Sequence, residues 1–182
     1  MNSAYIVEYR NIYLRPLEKE DLEILRKIRN DSNVSRFLTK ISYISEKQQE
    51  NWYQKVLASE KEIIFAVEEK ERLKRCVGSC SLYQIDGNQA LFGKIAIDPD
   101  ARGMHTGTNA IISALHVGFK ELGLEKIDLF VDRENHVAGK VYSGIGFENV
   151  GKQDEKQDRM TITHDLFYKE NASVNGVIIS SV

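Results

Sequence analysis

Two segments carry residue types whose spacing can do chemistry. The first reads Ile95-Ala96-Ile97-Asp98-Pro99-Asp100-Ala101-Arg102-Gly103-Met104-His105-Thr106-Gly107-Thr108. A β-branched stretch passes through a turn into an Arg-Gly-x-x-x-Gly loop that opens directly into an amphipathic helix. Such a loop aims several main-chain N–H groups, and the positive end of a helix dipole, at one point. A pyrophosphate is the natural occupant of that point. The glycines let the backbone approach closely, because they lack a Cβ. Arg102 can add charge or brace the loop. No Gly-Lys-Ser/Thr follows, which excludes a Walker A loop, and no Gly-x-Gly-x-x-Gly turn is present. The second segment runs from Asn135 through Ala138 and Tyr142 to Gly146-Phe147. Ala138 and Tyr142 lie four apart and share a helix face. Asn135 at the helix start can cap it or bind an amide.

The elements that must hold these residues follow from periodicity. A strand is expected over 11–17, ending at Pro16, and a helix over 18–30 with Leu22, Leu25, Ile28 and Arg29 near one stripe. Ser45-Glu46-Lys47-Gln48 has the form of a capping box, opening a helix that carries Trp52, Val56 and Leu57 inward. Strands follow over 62–69, 75–84 and 90–98, the last two joined across Asp86-Gly87. The clearest helix has Ala110, Ile111, Ala114, Leu115, Gly118, Phe119 and Leu122 at helical spacing, with Gly123 placed as its C-terminal cap. A strand at 127–131 and a helix at 135–145 come next, the latter with Val137, Val141 and Ile145 at spacing four. Strands at 147–151 and 160–168 close the domain. In the segment 171–182, Asn171-Ala172-Ser173 reads as loose linker, whereas Val177-Ile178-Ile179 can pair with a strand.

Composition bounds the function. The chain has 182 residues, 42% of them hydrophobic and 29% charged, enough for one domain with a sizeable core. Its net charge of −2 and pI near 6.1 give no strong positive field for nucleic acid. No apolar run is long enough to span a bilayer. The N-terminus lacks a basic-then-apolar secretory pattern, so a cytoplasmic location is expected. Cys76 and Cys80 are the only cysteines. On a regular strand they share a face roughly 13 Å apart, too far for a disulfide. The four histidines are scattered, with no His-x-x-x-His, so no metal site is expected. His116, on a helix, and His164, on the last strand, have no Ser or Cys elbow beside them.

Together the two segments resemble the acetyl-CoA site of the GNAT superfamily of N-acetyltransferases, and the element order matches that topology over about residues 11–168. The resemblance implies a single-domain α/β fold over 1–170, with a mixed, mainly antiparallel sheet and helices on both faces, followed by a tail at 171–182. It implies acetyl-CoA as cosubstrate and no metal. In this reading Ile95-Ala96-Ile97 pair with the pantetheine amides like an added strand. Arg102, Gly103, Met104, His105, Thr106, Gly107 and Thr108 hold the pyrophosphate, while Asn135 and Ala138 lie along the arm. Tyr142 takes the general-acid role toward the leaving thiolate. The family pattern is Gln or Arg, two residues, Gly, one residue, then Gly or Ala; His105 stands where the first of those glycines belongs. Many members carry a Glu on the strand before the loop, but the matching position here is Phe92, so no base is assigned.

The acceptor site of such a fold is built from the first two helices and their connection. The stretch Ile28 to Phe37 followed by Ser45 to Trp52 looks like acetyltransferases of amino-sugar nucleotides, of ribosomal-protein N-termini and of polyamines. Arg29, Asn30 and Trp52 are the candidate acceptor-binding residues, and Arg29 and Arg36 can recognise a phosphate. The amino-sugar group would have His where Gln49 stands. Two classes follow. One is an active N-acetyltransferase transferring directly to a small-molecule or N-terminal amine in a ternary complex. The other is an acetyl-CoA-binding or scaffold protein whose chemistry is lost through His105 and the missing strand carboxylate. Either would be a monomer or a homodimer with no nucleic-acid or membrane partner.

Overall fold

The computed structural model describes residues 5–37, 43–172, 174 and 178–181. Strands β1 (Tyr5–Tyr9) and β2 (Ile12–Pro16) form an opening hairpin whose turn is Arg10-Asn11. A single 3-10 turn leads into α1 (Leu22–Asn30), then come the short α2 (Ser32–Ser35) and α3 (Glu46–Leu57). Strands β3 (Glu62–Glu69), β4 (Arg75–Asp86) and β5 (Gln89–Ile97) precede α4 (Thr106–Lys120). The chain continues as β6 (Lys126–Asp132), α5 (His136–Ile145), β7 (Glu148–Lys152), β8 (Gln157–Thr163), α6 (His164–Glu170) and β9 (Ile178–Ser181).

The strands form one sheet in the order β7-β8-β6-β5-β4-β3-β2-β1-β9. Every pairing is antiparallel except β5 with β6. This is the mixed, mainly antiparallel α/β architecture that the sequence predicts. One face packs under α4 and α5, with Ala110, Ala114 and Leu115 against Phe65, Leu82, Phe92 and Ile127. The other packs under α1 and α3, with Leu22, Leu25, Ile28 and Val56 against Ile64, Ala66 and Ala96. No described helix is long and apolar enough to cross a membrane.

Local chemistry explains where the elements start. Ser45 accepts from the Gln48 amide at 3.3 Å and the Gln48 side chain accepts from the Ser45 amide at 2.8 Å, the reciprocal cap that starts α3. Gly123 adopts φ +64° just past α4, the left-handed conformation that ends a helix.

Several expectations need correction. The last strand ends at Thr163, and residues 164–170 are helical, so His164 opens a helix. Thr163 accepts from the Leu166 amide at 3.4 Å, and Asp165 and Lys169 sit in the helix's first and last turns. Those caps and charges outweigh the alternation. Leu57 and Val137 face out at 37% and 77% exposure. The inward stripe of α3 runs Gln49, Trp52, Val56, and that of α5 runs Ala138, Tyr142, Ile145, a step away from each in register. Cys76 and Cys80 lie on opposite faces, because the register slips there: Val67 pairs Gly78 and Glu68 pairs Cys76, leaving Val77 as an extra residue. Both thiols are free, and burial pushes them up to about 11 and about 12, so neither is a nucleophile. Strand β1 has no counterpart among the expected elements. Of the C-terminal segment, Ile178–Ser181 pairs with β1, while Ser173 and Val177 lie outside the described residues.

Candidate active site

The loop before α4 is built to leave amides open. Asp98 is held by Arg75 at 2.9 Å and accepts from the Asp100 amide at 2.9 Å, setting the 3-10 turn Pro99–Ala101. Gly103 then takes φ +75° and His105 φ +58°. His105 is the residue before α4, and no side chain caps that helix. The amides of Thr106, Gly107 and Thr108 thus begin a 15-residue helix with its dipole uncompensated. The Thr106 hydroxyl beside them is buried and has no partner. A relay of buried amides fixes the loop from behind: Asn109 Nδ2 donates to Asn11 Oδ1 at 2.7 Å, and Asn11 Nδ2 donates to the Met104 carbonyl at 3.1 Å. Arg102 is exposed and reaches the Asn33 carbonyl at 3.4 Å, bracing the loop against the α2 region.

His105 occupies the left-handed region that favours glycine. An L residue there costs about 1 kcal/mol. His105→Gly is therefore expected to raise Tm by ~2–4 °C and to preserve or tighten coenzyme A binding. A marked loss of affinity, measured by titration, would instead assign the imidazole a direct contact.

The strand leading to the loop offers an open edge. β5 and β6 pair only over Gln89–Leu91 with Lys126–Asp128; beyond that β6 pairs with β8 and β5 with β4 alone. A slot thus opens at the carboxyl ends of the one parallel pair, directly below the N-terminus of α4. It exposes one edge of Ile95-Ala96-Ile97. The cause is a bulge: Ser81 pairs Gly93 and Ser79 pairs Ala96, so β5 carries an extra residue, with Lys94 at φ +51°.

Across the slot stands α5. Asn135 caps it, accepting from the Ala138 amide at 3.2 Å. Ala138 packs half-buried on the core, and Gly146 ends the helix at φ +112°. Tyr142 is 7% exposed, with its ring edge-on to Phe147 at 5.8 Å. Burial, followed by the neighbouring Cys80 and Tyr83 side chains, pushes the phenol up to about 12. It shares a core with Cys80 and Leu82 of β4, the strand that flanks the bulge.

The opposite face of the sheet carries the candidate acceptor residues. The Arg29 guanidinium lies 5.5 Å from the Trp52 ring centroid, and burial lowers its pKa. Asn30 is engaged at both ends of its amide: it donates to the Ile44 carbonyl at 3.0 Å and accepts from the Ile44 amide at 2.8 Å. It clips the end of α1 to the start of α3. Arg36 is exposed and stacks over Phe37 at 4.5 Å. Gln49 is 2% exposed, with no partner for either amide atom. Sequence reasoning missed a second group on this face: Glu62, Ser81, Tyr83 and Lys94. Glu62 accepts from Lys94 Nζ at 2.6 and 2.7 Å and from the Ser81 hydroxyl at 2.9 Å. The sequence offers no signal for it, since the partners lie on three strands. Among the described residues no three His, Cys, Asp or Glu side chains cluster as a metal site.

A family model for the acetyltransferase (GNAT) domain matches residues 11–148. The chain belongs to the GNAT acetyltransferase family. The spermidine N(1)-acetyltransferase of Escherichia coli (strain K12) is 32% identical over 145 residues, 78% of this chain and 75% of that protein. The enzyme of the same name from Vibrio cholerae serotype O1 is 30% identical over 139 residues, 76% of this chain and 79% of that protein. A crystal structure of spermidine N-acetyltransferase from Vibrio cholerae in complex with CoA and spermine aligns with a TM-score of 0.78 at 28% identity, covering 86% of this chain and 98% of that one. This GNAT protein is an acetyl-CoA-dependent N-acetyltransferase. Its own residues fit the cosubstrate: an uncapped helix start with an orphaned Thr106 hydroxyl suits a diphosphate, and an unpaired strand edge suits an amide-bearing arm.

Proposed function

We propose that this protein acetylates a primary amine of a polyamine by direct attack in a ternary complex. The relatedness to two spermidine acetyltransferases over three quarters of the chain carries this reading. Acetyl-CoA supplies an activated acyl thioester and a thiolate leaving group. Main-chain amides of residues 102–108 bind the diphosphate, and the free edge of Ile95-Ala96-Ile97 hydrogen-bonds the arm. A β5 amide donates to the carbonyl oxygen as charge gathers there. Asn135 and Ala138 border the arm, and Tyr142 donates to the sulfur. The phenol near 12 is a weaker acid than a thiol near ~8.5. Full proton transfer to a released thiolate is thus uphill, and Tyr142 acts as a hydrogen-bond donor while the C–S bond breaks. Arg29 and Trp52 line the acceptor side. A cytoplasmic location, where acetyl-CoA is available, fits this reading.

The test is free-thiol release from acetyl-CoA across spermidine, a UDP-amino sugar and a peptide beginning with Ala or Ser. Spermidine is expected to give the highest kcat/KM. Preference for the sugar or the peptide would overturn the acceptor assignment. Coenzyme A binding without thiol release for any amine would favour a binding protein on the same fold.

A further inference from the structure

Beside the bulge, Glu62, Tyr83 and Lys94 border a cavity of about 520 Å³. The Glu62 side chain is only 12% exposed, whereas that of Lys94 is 41% exposed. The carboxylate is thus a fixture of the sheet, gripped also by the buried Ser81 hydroxyl, while its cation comes from the solvent side. The Lys94 ammonium lies 4.9 Å from the Tyr83 ring centroid. That ring is seated against the bulge because residue 93 is glycine: a Cβ there would meet Tyr83 Cε1 at 3.1 Å and its oxygen at 3.3 Å. A carboxylate held from behind by a buried hydroxyl, with an aromatic face beside it, is the arrangement that recognises an alkylammonium ion. A carboxylate this enclosed also requires a cation. In the free protein Lys94 supplies it from an unbranched alkyl stem, chemically a primary alkylamine tethered to the site. The surrounding charges at the mouth are Lys61 and Asp86, which pair with each other at 4.0 Å.

We propose that Glu62 and Tyr83 form a subsite for one ammonium group of the acceptor, with Ser81 holding the carboxylate in place, and that Lys94 fills it as a tethered surrogate which the acceptor displaces. This deepens the polyamine reading and rests on it for the identity of the ligand. Lys94 would then compete with substrate and set a higher KM than the subsite alone allows.

The experiment compares wild type, Lys94→Met, Glu62→Gln and the double variant. Spermidine binding is read by calorimetry, KM for spermidine by thiol release, and coenzyme A affinity as the check on folding. Lys94→Met is expected to bind spermidine about tenfold more tightly and to lower KM similarly. Glu62→Gln is expected to weaken binding at least about tenfold, and the double variant to lose the gain. Coenzyme A affinity stays within about twofold in each. Equal or weaker spermidine binding by Lys94→Met overturns the surrogate role, and unchanged binding by Glu62→Gln overturns the subsite. Wild type that releases no thiol with spermidine defeats the polyamine reading separately, since the binding arm still decides the subsite.

Discussion

Tyr142→Phe is expected to lower kcat by about 10²–10³-fold while coenzyme A affinity changes little. The ring keeps its edge contact with Phe147, and only the hydroxyl is lost. The substitution therefore removes one donor and little packing. What it removes is the only acidic proton that this motif offers to the departing sulfur. Because burial pushes the phenol up to about 12, the neutral donor form persists across the working range. Raising pH deprotonates the attacking amine without deprotonating Tyr142, so wild-type kcat/KM should rise with pH and show no falling limb from this group below about pH 11. Steady-state kinetics with coenzyme A titration checks both parts. Equal turnover by the Phe variant would remove Tyr142 from the chemistry.

Gly107→Val is expected to abolish measurable coenzyme A binding, with a loss of at least about 100-fold. The position separates binding from folding. Gly107 lies in the first turn of α4 with no positive φ. A Cβ there would meet only Ile97 Cγ1, at 3.9 Å, which is ordinary contact. The variant should thus fold with a Tm within a few degrees of wild type. The same direction points at the slot mouth, where β5 runs up to the open amides. A branched side chain at 107 would stand between the helix start and the strand edge, where a diphosphate must approach the backbone. A well-folded variant with unchanged affinity would show that the anion binds elsewhere.

Much of this was legible in the residues. The α4 spacing Ala110-Ala114-Leu115-Phe119 marked the body of the central helix and Gly123 its end, although the helix is buried all round from Asn109 to Phe119 rather than amphipathic. Strand β3 matched its expected bounds, being a run of five buried apolar residues between charges. The loop and the Asn135–Phe147 helix were readable because caps and positive-φ positions restrict residue type. The features that shape the chemistry were less visible. Each bulge inserts one residue and reverses a strand's faces, yet neither Val77 nor Lys94 is a residue type that announces one. Alternation therefore misplaced Cys76 and hid Lys94. Asn30 looked available to a substrate, but its amide is spent on Ile44, a partner 14 residues away. The Glu62–Lys94 pair spans 32 residues and exists only because three strands lie side by side. His105 stood out as a departure, and the structure gives it the backbone conformation of the glycine it replaces.

The most direct measurement is a crystal structure with coenzyme A and spermidine. The expected density places the diphosphate within hydrogen-bond distance of the amides of residues 105–108, the arm along Ile95-Ala96-Ile97, and the sulfur within about 3.5 Å of the Tyr142 hydroxyl. A diphosphate bound away from the start of α4, or a sulfur directed away from Tyr142, would contradict the claim that this helix terminus and this phenol form one acetyl-transfer site.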